Sequence, residues 1–407
     1  MSPTPDLDSL AFRAALSRGL VSRRSAVLGM AGLGVAALAA CGSPGQGGGA
    51  NGTATGAASA EDLSDSEKVV NWSNWPEYID VDDAGNRPSI DAFTAATGIA
   101  VNYTEDYNDN DEFYAKVRPL LEAGQDTGRD VWCSTDWMVA RLIRQGFVQE
   151  LDYGNLPNAE QNLVESLANV EFDQGRTFSL PWQSGFAGIA YNPASTSGRA
   201  VESIDQLLND PALQGRVTLL TEMRDTVGLV LMELGKSLES FTAEDFDEAI
   251  AVIQDAKDRG QLQGFTGNEY TQPLASGDIA ACVAWTGDVV QLQYDNPDLG
   301  YALPAKGFTL WSDNFVIPAL AAHKKNAELL IDHYYDPQVM AEVAAWVNFI
   351  PPVQGTTEAL IALDPELGEN ELIVPTEEVL SRAQVFRGLS NEEETEFTAK
   401  YQAIVVG

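Results

Sequence analysis

Short apolar runs alternate with segments of helical period along most of the chain. Apolar stretches at 67–72, 98–103, 129–134, 187–192, 216–221, 279–285, 299–303 and 314–318 read as strands. Apolar residues recur at helical spacing in 111–123, 137–145, 227–239 and 242–257, and later in 325–335 and 337–347. Two helix starts carry capping signals: Thr242-Ala243-Glu244-Asp245 is a near capping box, and Ser390-Asn391-Glu392-Glu393 opens the final helix as a full one. Strand–helix alternation predicts α/β domains with mainly parallel sheets. The uncharged stretch 179–192, with glycines at 185 and 188, reads as a strand. It either crosses from one lobe to another, with Gly185 absorbing a backbone change, or is an ordinary buried strand.

The first 66 residues follow a different pattern. Ser22-Arg23-Arg24 precedes an apolar stretch from Ala26 to Leu38 that is too short to span a membrane. It ends in Leu38-Ala39-Ala40-Cys41, which is similar to a bacterial lipobox. That similarity implies a signal peptide over 1–40, with diacylglycerol on Cys41 as a membrane anchor. The paired arginines fit twin-arginine export, and an ordinary secretory leader is the alternative. Residues 41–66 are rich in Gly, Ala and Ser and read as a flexible tether. The expected location is the outer face of the cytoplasmic membrane.

Charge narrows the function further. The chain has 24 Lys+Arg against 60 Asp+Glu, a net charge of -36. Without the leader, 20 basic and 58 acidic residues remain, a net of -38. Nucleic acid needs a basic footprint and is excluded as a partner. A cleft in so acidic a surface attracts cations, and the alternative is that the acidity serves only solubility. Two histidines and three cysteines cannot build a His-rich or four-cysteine metal site. No nucleophile elbow, phosphate loop or dinucleotide fingerprint occurs, so neither a catalytic set, nor a metal, nor a cofactor is expected. Cys133 and Cys282 lie in apolar runs and read as buried free thiols, with a disulfide, which an oxidising compartment permits, as the alternative.

Candidate chemistry begins at Val69-Val70-Asn71-Trp72-Ser73-Asn74-Trp75-Pro76-Glu77-Tyr78. Pro76 cannot donate to a sheet ladder, so Trp75, Glu77 and Tyr78 fall on a loop just past a strand. In open α/β sheets that is where ligands bind, and the alternative is that Trp75 and Tyr78 simply pack under the loop. Trp72 lies within the strand and belongs to the core.

Taken in order, several segments resemble the substrate-binding proteins of bacterial polyamine (spermidine/putrescine) ABC importers. They are Asn74-Trp75-Pro76-Glu77-Tyr78, Tyr114-Ala115-Lys116-Val117, Asp130-Val131-Trp132-Cys133-Ser134-Thr135 and Ser179-Leu180-Pro181-Trp182 with Gly185. Thr221-Glu222-Met223-Arg224-Asp225, Ala284-Trp285-Thr286-Gly287 and Trp311-Ser312-Asp313-Asn314 with Ile317-Pro318 complete the series. The resemblance covers about 67–405. It implies a two-lobe, type II periplasmic-binding-protein-like α/β fold with a ligand cleft between the lobes and two or more crossovers. One lobe would be 67–186 plus 312–360, the other 187–311 plus 361–407. It also implies a monomer partnered by a permease and an ATPase.

The chemistry of such a ligand is specific. A polyamine is an apolar stem punctuated by ammonium ions, so it needs aromatic walls, carboxylates and other acceptors. The resemblance implies Trp75, Tyr78, Trp285 and Trp311 as walls, with Phe349 where the family often has Tyr. It implies Glu222, Asp225 and Asp313 as ammonium partners, with Glu77, Ser134 and Gln384 as further polar contacts. Asp136 stands where the family often has an aromatic, which removes a wall and adds a carboxylate. Two other readings stay open: the same fold around another small solute, and an exported hydrolase using Glu222 and Asp225 as its carboxylates.

Overall fold

A computed structural model describes residues 60–82 and 84–407. The predicted leader, the Cys41 lipidation site and most of the tether lie outside the described residues. The last part of the predicted tether is docked: Leu63 N donates to the Ala322 carbonyl at 2.8 Å, and Asn326 N donates to Ser64 Oγ at 3.1 Å. Ordered structure therefore begins before residue 67. Among the described residues no helix is long and apolar enough to cross a membrane.

Among the described residues, ten strands form one curled sheet. They are β1 (Val69–Asn74), β2 (Ala100–Glu105), β3 (Val131–Thr135), β4 (Ser179–Tyr191), β5 (Val217–Leu220), β6 (Leu262–Thr266), β7 (Ala281–Trp285), β8 (Gly300–Ala302), β9 (Phe308–Val316) and β10 (Ala383–Gln384). The order is β2-β1-β3-β9-β4-β7-β5-β6, with β10 on β9 and β8 on β4. The two ends are parallel: β1 with β2 and β3, and β5 with β6 and β7. The middle is antiparallel.

This middle is where the two halves join. β4 pairs with β9 over its first part and with β7 from Ala187 to Tyr191. β9 pairs with β10 at Phe308 and Thr309, and with β3 from Asp313 to Val316. β9 starts earlier than the pattern at 314–318 predicts, whereas β4 matches the stretch 179–192 read as a strand. β4 is buried along nearly its full length, and in β9 Asp313 faces the cleft while Ser312 bonds Ser184 at 2.6 Å and Asn314 accepts from Arg176 at 2.9 Å. Polarity inside a paired strand imitates a loop when only the sequence is read.

Hydrophobic packing divides the same way. One core gathers Phe186, Leu219, Val230, Phe246, Val283 and Tyr401. Another gathers Val70, Trp72, Trp182, Phe315, Leu330 and Tyr334. Burying each such side chain contributes on the order of 2 kcal/mol. Trp72 is 1% exposed and meets Trp182 edge-on at 5.6 Å, as expected of a core residue. Leu360, Leu367 and Ile373 pack with Ala341 and Val290 in a smaller cluster between elements of both halves.

Some boundaries differ from the sequence pattern for clear reasons. The helix expected over 227–239 runs from Met223 to Glu233. It starts early because Glu222 caps it, accepting from Arg224 N at 3.2 Å. It stops at Gly235, whose φ of 77° closes the last turn, with Lys236 N donating to the Leu231 carbonyl at 2.9 Å. β6 and β10 were not predicted: β10 has two residues, and Gln263-Gly264 break the apolar run of β6. Cys133 and Cys282 are buried free thiols.

Candidate ligand-binding site

The cleft opens where β1 ends. After Asn74 the chain turns through Trp75 and Pro76, and Glu77 takes a φ of 56°. This left-handed turn leaves Glu77 exposed and returns Tyr78 inward, where it is buried. The Trp75 ring rests against Tyr107 at 4.9 Å. The resulting pocket holds about 560 Å³ of empty space, its mouth included.

Aromatic side chains supply the walls. Trp75, Tyr78, Trp285, Trp311 and Phe349 all line the pocket. Phe349 is the pivot: Tyr78 meets it at 5.3 Å with planes at 90°, and Trp311 meets it at 5.3 Å with planes at 67°. Two glycines make this approach possible. A Cβ on Gly287 would lie 2.4 Å from the Phe349 ring, and one on Gly185 would lie 2.5 Å from Trp311. Gly185 is therefore required for close packing of the walls.

Carboxylates supply the charge. Glu222, Asp225 and Asp313 line the pocket, and so do Asp109 and Asp288. Each is held by neutral donors. Asp225 accepts from Thr309 Oγ1 at 2.6 Å and from Trp285 Nε1 at 2.8 Å. Asp313 accepts from Thr135 Oγ1 at 2.6 Å. Asp288 accepts from the Tyr270 hydroxyl at 2.5 Å and from Asn268 at 3.0 Å, while the same hydroxyl accepts from Trp285 N at 3.0 Å. Asp109 caps the helix Asn110–Glu122 and accepts from Thr221 Oγ1 at 3.1 Å across the cleft.

The electrostatics of these acids agree. Burial pushes the Asp288 carboxyl up to about 6, Asp313 to about 7 and Glu222 to about 8. Burial also raises Asp109 and Asp225. Loss of water is the largest cause in every case, and neighbouring acids add to it at Glu222 and Asp313. Among the described residues that line the pocket there is no Lys, Arg or His. Among the described residues, no group of three or more acids, His or Cys could hold one metal ion. The carboxylates are spread around the cleft, an arrangement suited to positive charges separated along a stem.

Eight of the residues proposed from sequence thus line one pocket: Trp75, Tyr78, Glu222, Asp225, Trp285, Trp311, Asp313 and Phe349. Four do not line it. Glu77 faces solvent. Ser134 is buried against the Tyr107 hydroxyl at 2.9 Å. Asp136 accepts from Asn314 Nδ2 at 2.7 Å, and burial pushes its carboxyl up to about 6. Gln384 accepts from Leu238 N at 2.9 Å on β10. Asp288 and Asn268 were not read from the sequence. Asp288 lies three residues beyond Trp285, one helical step from a recognised wall, and that spacing was the available signal.

Both histidines are engaged elsewhere. His323 bonds Asp130 and Glu67, each at 3.0 Å, and His333 bonds the Ser89 carbonyl at 3.1 Å. Neither ring is paired with a hydroxyl or thiol nucleophile in these contacts.

A sheet crossed twice between two cores, with an acidic, indole-walled cleft where the halves meet, defines a receptor for a small solute. The chain belongs to the bacterial extracellular solute-binding protein family, whose sequence pattern matches residues 89–369. It is an exported binding protein rather than an enzyme. Among its relatives is the spermidine/putrescine-binding periplasmic protein 1 of Haemophilus influenzae, 26% identical over 80% of this chain and 86% of that one. Another is the putrescine-binding periplasmic protein PotF of Escherichia coli, 27% identical over 81% of this chain and 89% of that one. The solved spermidine/putrescine ABC transporter substrate-binding protein PotD of Streptococcus pneumoniae superposes with a TM-score of 0.67 at 24% identity. That superposition covers 83% of this chain and 98% of that one, and it shows the shared type II fold.

Proposed function

We propose that this protein captures a polyamine, spermidine or putrescine, outside the cytoplasmic membrane and delivers it to an ABC importer. The observation that carries this reading is the pocket's charge. Five carboxylates sit in a desolvated cleft with aromatic walls and no lining cation. Arg224, outside the lining, lowers the cost in part at Glu222 and Asp225; burying carboxylates without a paired cation costs several kcal/mol each, and a bound cation offsets that cost. An ammonium has only donors and carboxylates only acceptors, while the indole and phenyl faces take the methylene stem. The relatives that bind spermidine and putrescine support the same ligand class.

In this reading Trp75, Tyr78, Trp285, Trp311 and Phe349 hold the stem, and Glu222, Asp225, Asp288 and Asp313 hold the ammonium groups. Glu77, Ser134, Asp136 and Gln384 act from outside the lining, by field or by support. The lobes are 67–186 with 312–360, and 187–311 with 361–407, and they close over the ligand as a monomer. Diacylglycerol on Cys41 tethers the receptor beside its permease and ATPase. Calorimetric titration of residues 61–407 with putrescine, spermidine, spermine and agmatine tests the proposal. Micromolar or tighter binding of at least one amine is expected, and binding of none would overturn it.

A further inference from the structure

Outside the pocket, one buried carboxylate is ringed by three guanidinium groups. Glu394 is 6% exposed. It accepts from Arg141 and Arg144 at 2.8 Å each and from Arg224 at 3.3 Å. Arg141 also pairs with Asp111 at 2.8 Å. The guanidinium groups of Arg224 and Arg141 lie over the Trp137 ring, at 3.9 Å and 4.9 Å from its centroid.

These groups come from opposite sides of the cleft. Arg141 and Arg144 sit on the helix Asp136–Gln145, which directly follows β3 and packs Met138, Val139 and Leu142 against Trp132. Glu394 sits on the helix Asn391–Val406, whose Phe397 and Tyr401 belong to the core around β5 and β7. Arg224 lies on that second side too, between the pocket acids Glu222 and Asp225. The cluster is therefore complete only when both halves are together. Separating them takes Glu394 from two of its three partners and Arg224 from the Trp137 face.

We propose that Glu394, with Arg141, Arg144 and Arg224, is a lock between the lobes that sets how long the closed cleft keeps its ligand. The proposal rests on the reading that the lobes close over a cation. The lock acts on release more than on capture. Encounter takes place with the cleft open and the pairs apart, whereas escape requires breaking a buried, hydrogen-bonded ion cluster. These residues touch no ligand, so they determine affinity by position.

The test is stopped-flow kinetics on the mature chain with the tightest-binding of putrescine, spermidine, spermine and agmatine. Glu394→Gln keeps the shape and removes the charge. It is expected to speed ligand release about tenfold while association changes less than about twofold. Arg144→Ala, at the more exposed partner, is expected to speed release about threefold. Raising salt should quicken release from the wild type more than from Glu394→Gln. The melting temperature of the unliganded protein is expected to stay unchanged in both variants. Unchanged release rates would overturn the lock. So would an unliganded melting temperature that falls as far as the liganded one, because the cluster would then only hold the fold. Should the wild type bind none of the four amines, the proposed function fails separately. The lock is then judged by spin-label distances across the cleft of the unliganded protein: a minor closed population that Glu394→Gln depletes supports it, and equal populations overturn it.

Discussion

At the start of the last helix, Glu393 accepts from Arg387 at 2.6 Å and from Ser390 N at 2.9 Å. The Arg387 bond is the main cause that holds its carboxyl down at about 2. In the cleft, burial pushes Glu222 up to about 8 and Asp313 to about 7. The chain is short of basic residues, yet it places them beside chosen acids: Arg387 at Glu393, three arginines at Glu394, Arg129 at Asp106. It places none in the pocket lining. The contrast teaches that the cleft's missing positive charge comes from outside, with the ligand.

The largest break in that contrast is removal of one cleft charge. Asp313→Asn should weaken amine binding about thirtyfold or more, since a desolvated ammonium loses its charged partner. Calorimetry reads this directly, and wild-type affinity would take Asp313 out of the site. Protons should do reversibly what the mutation does permanently. The cleft carboxyls are raised, so the empty folded protein holds protons at pH 5 to 7 that the bound ligand must displace. Affinity should therefore rise about tenfold from pH 5.5 to pH 8, with proton uptake by buffer on binding. A flat profile would contradict it.

The same shifts set stability. For acids raised in the folded state, the folded form binds more protons than the unfolded one. Their contribution is present below the ordinary carboxyl range near 4 and is lost as pH rises through 6 to 8. The ligand-free melting temperature should thus fall across that window, and saturating amine should remove the fall. Scanning calorimetry with and without ligand checks both.

Smaller effects sharpen the geometry. Gly287→Ala drives a methyl into the Phe349 ring and should weaken binding about fivefold, with a loss of about 1–2 kcal/mol of stability from overpacking. An unaffected variant would show that Phe349 is free to move. Glu77→Gln should change affinity by less than about twofold, because an exposed charge is screened. A tenfold loss would place Glu77 over the ligand in the closed receptor.

Legibility in the sequence followed how unusual each residue was for its surroundings. Tryptophans at strand ends and paired acids in a short turn stood out, and Trp75, Trp285, Trp311, Glu222, Asp225 and Asp313 do share one pocket. Asp288 and Asp109 did not stand out, because each also does ordinary helix work. Asp288 is a first-turn acid favoured by the helix dipole, and Asp109 is an N-cap; many solvated acids look the same. The alternation that gave most strands failed for β10, which has two residues, and for β6, where Gln263 and Gly264 interrupt the apolar run, and it cut β9 short at its polar part around Ser312 and Asp313. The Glu394 cluster was invisible for another reason. Its members lie about 170 to 250 positions apart in the chain, and only the fold brings them together.

The central claim is that the cleft is completed by a multivalent organic cation. Its most direct test is calorimetric titration of spermidine at pH 7 in two buffers of different ionisation enthalpy. The account predicts micromolar or tighter binding together with net proton release from the protein. No binding of any di- or triamine, or tighter binding of an anionic solute such as succinate, would contradict it.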